Sequence, residues 1–276
     1  MRRAGLIIFA LSAALAQMVR AEPIAPSALD NLPPSDVVVL GEVHDNPAHH
    51  ANQARAVAAL NPAAIVFEMM TPAQARAVTP RLRDDPGTLA AALGWAESGW
   101  PDFALYYPII AAAPKAEILG AQVPRAELRQ VISRRDPAGV FGSDARKFGL
   151  TRPLPGDQQS RREKMQARAH CGALPEEMLP GMVMGQRLRD AALARAALRA
   201  LQETGGPVVV ITGNGHARAD WGVPAILKEV APKLRVLSVG QFEAPPAPPV
   251  PHDLWLVTAP VARDDPCAGL AGAAQP

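Results

Sequence analysis

The 276-residue chain is poor in cysteine and in aromatic residues. It has 2 cysteines, and Phe, Trp and Tyr together make up 4% of the residues. Two cysteines are too few for the usual cysteine-rich zinc sites, and the absence of Cys-x-x-Cys-His excludes the c-type cytochromes. No apolar run approaches the ~20 residues of a membrane-spanning helix. We therefore expect the mature chain to have no integral membrane span.

The chain also lacks a strong excess of either charge. Its net charge of +2 includes Arg2, Arg3 and Arg20, and no acidic residue precedes Glu22. Without those three arginines, 25 basic residues stand against 26 acidic ones. A nucleic-acid-binding domain usually carries clustered basic charge, so this balance predicts no nucleic-acid partner.

The N-terminal 21 residues have the pattern of a secretory signal peptide. Arg2 and Arg3 precede an apolar run over 5–16, and Ala21 ends the small-residue site at which cleavage is expected. No cysteine near that site is available for a lipid anchor. We therefore expect a periplasmic or secreted protein.

The two cysteines, Cys171 and Cys267, are expected to lie in an oxidising compartment after export. One disulfide that ties the C-terminal tail to the body of the protein is the reading that this compartment favours. Two free thiols or two metal ligands are the alternatives, although the spacing fits no zinc motif.

Short aliphatic runs alternate with helical stretches along the chain. Each run is too short for a helix and is typical of a buried strand, and helix starts are marked by Asn46-Pro47, Thr71-Pro72 and Pro124. This order predicts an α/β fold with a mainly parallel sheet flanked by helices. The predicted strands are 37–40, 64–67, 117–119, 208–212 and 235–239.

The remaining segments suggest how the chain is divided. Residues 22–243 are expected to form the α/β domain, with a helical insertion, or sub-domain, of about 88–203 over one end of the sheet. The proline-rich connector and C-terminal tail follow in 244–276, where 253–258 could add an edge strand.

Polar residues follow the predicted strands, where parallel α/β sheets bind their ligands. Glu42 and His44 follow the first strand, Glu68 the second, and His216 the fourth. Glu42 and His44 are two residues apart on an extended chain, so their side chains should share a face. We expect these four residues to form one site.

Further histidines and an aromatic segment are additional candidates for this site. His50 could line the pocket, His49 is expected on a solvated helix face, and His170 is expected to belong to the local structure at Cys171. The segment 99–108 holds Tyr106 and Tyr107, the two tyrosines of the chain. It could form a wall for a flat hydrophobic ligand or be ordinary core.

Taken in order, these motifs resemble the ChaN family of haem-binding uptake proteins, within the Tiki superfamily. Together they cover most of residues 36–227. The matching segments are Gly41–Pro47 with His50 and Gln53, Phe67–Met69, Gly99–Tyr106 with Pro108, Gln186 with Asp190, and Gly213–His216 with Gly222–Pro224.

The resemblance implies a b-type haem, held non-covalently, in bacterial haem or iron uptake. It implies that Tyr106, or Tyr107 beside it, is the ligand of the haem iron, and that His44, His50 and His216 contribute to the haem site. It further implies a possible homodimer and a haem transporter or receptor as partner.

The wider superfamily supplies a rival hypothesis, because it also contains peptidase-like and esterase-like proteins. In a metal-dependent hydrolase, Glu42, His44, Glu68 and His216 would bind a divalent metal or activate a water molecule. A third alternative is a periplasmic scaffold or carrier of another small ligand.

Overall fold

A computed structural model describes residues 21–265 and 267–268 and shows one seven-stranded sheet. The predicted signal peptide therefore lies, except for Ala21, outside the described residues. All pairings are parallel, and the strand order is β1-β7-β6-β2-β5-β3-β4. The strands are β1 (Glu22–Pro23), β2 (Val37–Glu42), β3 (Ala64–Phe67), β4 (Glu117–Gly120), β5 (Val208–Gly213), β6 (Val236–Phe242) and β7 (Leu254–Val257).

Helices cover both faces of this sheet, which confirms the predicted α/β class. They are α1 (Pro47–Leu60), α2 (Pro72–Ala77), α3 (Pro80–Arg83), α4 (Pro86–Ala92), α5 (Phe103–Ala112), α6 (Arg125–Arg134), α7 (Pro137–Phe141), α8 (Gly156–Ala169), α9 (Leu179–Thr204), α10 (Asn214–Ala217) and α11 (Val223–Val230). Within the described part of the chain, no helix has the length and apolar character needed to cross a membrane.

Strand residues alternate between two hydrophobic cores, as the period of two in an extended chain requires. In β2, Val38 and Leu40 pack with α1 and α5, whereas Val37 and Val39 pack with α9 and α11. All six residues of β2 are buried. A central strand buried on both faces reads as a continuous apolar run, which is why the sequence predicted it.

The marked helix starts are confirmed. The side chain of Asn46 accepts hydrogen bonds from the backbone N–H groups of Ala48 and His49 and so caps α1. Thr71 and Gln74 form a capping box at the start of α2, and α6 begins directly after Pro124.

The bounds of four strands and the position of one differ from the predictions: β4 runs to Gly120, and β6 covers Val236–Phe242 rather than 235–239. The strands β2 and β5 extend to Glu42 and Gly213, beyond the apolar runs, because ladder hydrogen bonds continue into the first polar residues. The segment Leu254–Val257 is a strand but not the sheet edge, because Glu22–Pro23 pairs outside it. The proposed division at 88–203 stays a prediction, although α9, within it, packs on the face formed by β3, β4 and β5.

The C-terminal tail is fastened at two points. Cys171 and Cys267 form a disulfide with a Cα–Cα distance of 5.5 Å, which confirms the predicted bridge. Arg263 forms hydrogen-bonded ion pairs with Asp45 and Glu243, close to the end of β2. The tail is thereby held against the sheet edge at which the polar residues were expected.

The contact between α6 and α9 depends on a glycine. A Cβ atom at Gly181 would lie 2.1 Å from the carbonyl oxygen of Ile132. We predict that Gly181→Ala lowers the free energy of unfolding by roughly 1–3 kcal/mol, the usual cost of overpacking. Urea denaturation measures this change.

Gly156→Ala is the matched control, because Gly156 is also in a helix but has open space around its Cα. It should leave the free energy of unfolding within about 0.5 kcal/mol of wild type. Equal effects of the two substitutions would refute the packing argument.

Candidate functional site

The first half of the site is built around Glu42, the last residue of β2. Its buried carboxylate lies 2.7 Å from His44 Nδ1 and 3.6 Å from His50 Nδ1. The Tyr106 hydroxyl donates to Glu42 Oε1 over 3.1 Å. His50 Nε2 is 2.8 Å from the carbonyl oxygen of His44. The turn after β2 and the helices α1 and α5 thus converge on one carboxylate.

His44 is the most accessible member of this group, with 34% of its side chain exposed. Its ring lies edge-on against Trp100, with the ring centroids 4.9 Å apart. Its Nδ1 is engaged by Glu42, and among the described residues Nε2 has no hydrogen-bond partner. The imidazole is therefore held in place while one nitrogen stays available to a ligand.

The second half of the site is built around Glu68, which follows β3. Glu68 Oε2 accepts hydrogen bonds from the Thr212 hydroxyl over 2.6 Å and from the Gly213 backbone N–H over 2.9 Å. Glu68 Oε1 lies 3.5 Å from His216 Nε2. The end of β5 therefore supplies both the partners of Glu68 and, one short turn later, the imidazole.

His216 has a second carboxylate partner. Its Nδ1 lies 2.6 Å from Asp190 Oδ1 on α9, and Asp190 Oδ2 is 3.8 Å from the guanidinium of Arg162 on α8. All three side chains are buried. The result is a line of alternating charge, from Glu68 through His216 and Asp190 to Arg162.

Gly213 separates the two halves. A Cβ atom there would lie 2.9 Å from His44 Nε2 and 3.8 Å from Glu68 Oε2. The structure thus brings Glu42, His44, Glu68 and His216 together at the carboxyl ends of β2, β3 and β5. A side chain at position 213 would press against His44, so the site requires a glycine here.

The carboxylates set the charge state of the imidazoles. Burial lowers the pKa of His44, but the hydrogen bond with Glu42 and the charge of Glu68 outweigh it, and the pKa is raised. Burial also lowers the pKa of His216, but the charges of Glu68 and Asp190 outweigh this effect, so that the pKa is raised overall. Burial raises the pKa of Glu68, but the two imidazoles and two hydrogen bonds bring it to about 2.

The two tyrosines lie in different surroundings. Tyr106 is completely buried, and both burial and the charge of Glu42 raise the pKa of its phenol well above the usual value. Tyr107 is half-buried, and its hydroxyl donates to the carbonyl of Arg83 over 2.8 Å rather than to Glu42.

The expectation for His49 was wrong. His49 is buried, and its Nδ1 accepts a hydrogen bond from the backbone N–H of Val43 over 2.9 Å. It lies under the turn that carries His44 because α1 faces the core at this position. His170 contacts its own helix through the carbonyl of Gln166, beside Cys171.

Sequence reasoning did not assign site roles to Asp190, Arg162 or Trp100. Asp190 appeared only as part of a family motif. It is a buried acid on the apolar face of α9, and the helical period of the apolar residues would have revealed that position. Trp100 belonged to the predicted aromatic segment. Arg162 gave no signal, because α8 is predominantly polar and holds several other charged residues.

Within residues 21–265 and 267–268, no group of three or more His, Cys, Asp or Glu side chains has an arrangement that could hold a metal ion. The carboxylates instead face imidazoles and hydrogen-bond donors. The pairing of Glu42 with His44 Nδ1 nevertheless resembles the support that orients single histidine ligands of metals.

Fold and site together define a parallel α/β protein with carboxylate–imidazole pairs at the carboxyl edge of its sheet. The sequence profile of the family described as haem-binding uptake, Tiki superfamily, ChaN, matches residues 28–227. The chain belongs to this family, as its motifs suggested.

Two solved structures of low sequence identity are similar to the chain, and the first of them supports the fold. One described as cofacial heme binding to ChaN of Campylobacter jejuni is 19% identical, with a TM-score of 0.58, over 78% of this chain and 83% of that one. An erythromycin esterase variant, EreC in its open conformation, is 12% identical, with a TM-score of 0.39, over 75% and 70% of the two chains. No curated protein matches the sequence.

The charge line makes a direct prediction for His216. Asp190→Asn removes a negative charge 2.6 Å from Nδ1, so the pKa of His216 should fall. Titration of the imidazole carbon-bound proton by NMR measures this. Asp220→Asn, which breaks an exposed pair with Arg218 instead, is the control; an unchanged pKa in the Asp190 variant would contradict the proposed coupling.

His49 predicts a pH dependence of stability. Burial lowers its pKa to about 4 in the folded protein. A histidine in the unfolded chain has a pKa of about 6.5, so the unfolded state binds the proton more readily than the folded state. This residue's contribution should be complete above about pH 6.5 and decline by up to about 1.4 kcal/mol per pH unit as the pH falls towards 4.

His49→Asn keeps an acceptor for Val43 and removes the titrating group. Its free energy of unfolding, measured by urea denaturation between pH 4 and 7, should depend less steeply on pH than that of wild type. An identical slope would show that His49 does not titrate as described.

Proposed function

We propose that this protein binds one b-type haem non-covalently at the edge formed by β2, β3 and β5, and that it serves haem or iron uptake. The observation that carries the proposal is the His44 imidazole, fixed by Glu42 through Nδ1 and with Nε2 available. Family membership points to the same ligand. Haem supplies an iron centre that accepts an imidazole nitrogen as an axial ligand.

The residues present fit this group. A metal-ligating histidine commonly donates its second ring N–H to a carboxylate, which fixes its orientation and raises its basicity. Glu42 performs this role for His44, and Trp100 offers an aromatic surface beside it. Because ligation needs an unprotonated Nε2, haem binding displaces a proton from His44.

Tyr106, the ligand implied by the resemblance, instead contacts Glu42 from the core. Its hydroxyl donates to Glu42, and a tyrosinate here would stand against the Glu42 carboxylate in a buried place. To bind iron, Tyr106 would have to leave the core and lose that hydrogen bond. We therefore propose His44 as the iron ligand and Tyr106 as a residue that positions Glu42.

Export to the periplasm, or secretion, is part of the proposal. The Cys171–Cys267 disulfide supports it, because such bonds persist in oxidising compartments. A homodimer and a haem transporter or receptor would complete the uptake role. His44 and Trp100 both lie partly exposed, at a place that a second copy or a receptor can reach.

The hydrolase alternative draws on one observation, the hydrogen bond between Asp190 and His216 with Glu68 beyond it. This resembles an oriented general base. His216 is, however, buried between two carboxylates that favour its protonated form. The edge therefore supports haem binding better than hydrolysis.

Titration of the mature protein with haemin tests the proposal. Wild type should show saturable binding at one haem per chain in the Soret region. His44→Ala should weaken binding or change its ligand spectrum, whereas Tyr106→Phe should retain an imidazole-type spectrum, because it removes a hydrogen bond and not the ligand.

Tyr107→Phe is the matched control, since its hydroxyl contacts Arg83 away from the cluster. Loss of the spectrum in Tyr106→Phe alone would move the iron ligand to that tyrosine. Absence of haemin binding, with a stoichiometric divalent metal in the purified protein, would favour the hydrolase.

A further inference from the structure

A small cleft opens beside Glu68. It has a volume of about 160 Å³, below the ~300–1,000 Å³ of pockets that enclose a whole organic ligand. It could take one functional group of a larger molecule. The side chains that give it chemical character are Trp100, Gln122, Arg125 and Arg189.

These side chains offer hydrogen-bond donors without matching acceptors. Trp100 Nε1 is buried and has no hydrogen-bond partner among the described residues. Arg189, on α9, is half-buried, and within the described chain its guanidinium forms no side-chain hydrogen bond or ion pair. Arg125 uses one Nη on the carbonyl of Ser98. Arg125 is exposed and Arg189 half-exposed, so water satisfies their free N–H groups until a ligand with an acceptor replaces it.

Glu68 does not meet this demand. Its Oε2 is occupied by Thr212 and Gly213, and its Oε1 faces His216. The charge of Arg189 also reaches the neighbouring imidazoles, where it slightly opposes the rise that the carboxylates cause in the pKa of His44 and of His216. The cleft therefore holds two guanidinium groups, and its one carboxylate, Glu68, is already engaged by other partners.

The cleft adjoins the proposed iron ligand through one residue. Trp100 lines the cleft, and its ring packs edge-on against His44 with centroids 4.9 Å apart. A ligand that reaches His44 Nε2 lies next to the mouth of the cleft. One flat molecule can therefore use both places.

We propose that this cleft is a carboxylate-binding subsite in which Arg189 and Arg125, beside the Trp100 ring, hold an acid group of the ligand. The inference rests on the proposed function where that acid is a haem propionate. The same chemistry would accept the carboxylate of a separate small acid. Arginine suits this role because its planar guanidinium can bind a carboxylate with two parallel hydrogen bonds.

The first experiment compares haemin with haemin dimethyl ester, in which both propionates are neutral. Wild type should bind haemin roughly tenfold to a hundredfold more tightly than the ester, as expected for a charge-assisted hydrogen-bonded pair. Arg189→Gln should lose most of that preference. Arg199→Gln removes the same charge from an exposed place on the same helix, where Arg199 pairs with Glu203, and should retain it.

A second experiment does not depend on haem. Wild type labelled with ¹⁵N is titrated with sodium propionate, and the indole N–H signal of Trp100, assigned with Trp100→Phe, is followed by NMR. The signal should shift saturably in wild type and in Arg199→Gln but not in Arg189→Gln. Sodium chloride at equal ionic strength is the control for screening.

The outcomes separate the two claims. Haemin binding with equal affinity for the ester, and no shift with propionate, would overturn the carboxylate subsite and leave haem binding intact. A propionate shift without haemin binding would overturn haem binding and assign the cleft to a small free acid. A preference for haemin that Arg189→Gln leaves unchanged would place the acid group elsewhere and refute the proposal.

Discussion

The site depends on buried carboxylates, each of which has a nearby imidazole as partner. Glu42, Glu68 and Asp190 all lie below the surface, where an unpaired carboxylate would be strongly unfavourable. Each has an imidazole partner, and Glu68 has two further hydrogen bonds. This compensation fixes the orientation of His44, whose free nitrogen is the group that can meet a ligand.

The parallel sheet makes that compensation possible. The strands β2, β5 and β3 are neighbours at its centre, so residues that are far apart in sequence leave the sheet at one edge. The apolar parts of these strands are buried on both faces by helices, which supply the remaining partners: Tyr106 comes from α5, Asp190 from α9 and Arg162 from α8. The polar edge is therefore positioned by the hydrophobic layers beneath it.

Much of this arrangement could be predicted from the sequence, and the reasons are local. Aliphatic runs give the five main strands, and Asn46-Pro47 and Thr71-Pro72 give helix starts, because capping depends on a few adjacent residues. Glu42, His44, Glu68 and His216 could be predicted to meet because each lies at or just after the carboxyl end of a parallel strand. The orientation of the helices could not be predicted in this way. The burial of His49 and the pairing of Asp190 with His216 depend on how each helix is rotated about its axis when it packs. The unpaired donors around Arg189 likewise arise only from tertiary structure.

The central claim is that haem iron is bound by an imidazole that Glu42 holds in place. Resonance Raman spectroscopy of the haem complex tests it most directly, because iron–imidazole and iron–tyrosinate bonds give different vibrations. The account predicts an iron–histidine stretching band in the ferrous complex, absent from His44→Ala. A ferric complex that shows tyrosinate vibrations instead, lost in Tyr106→Phe, would contradict it.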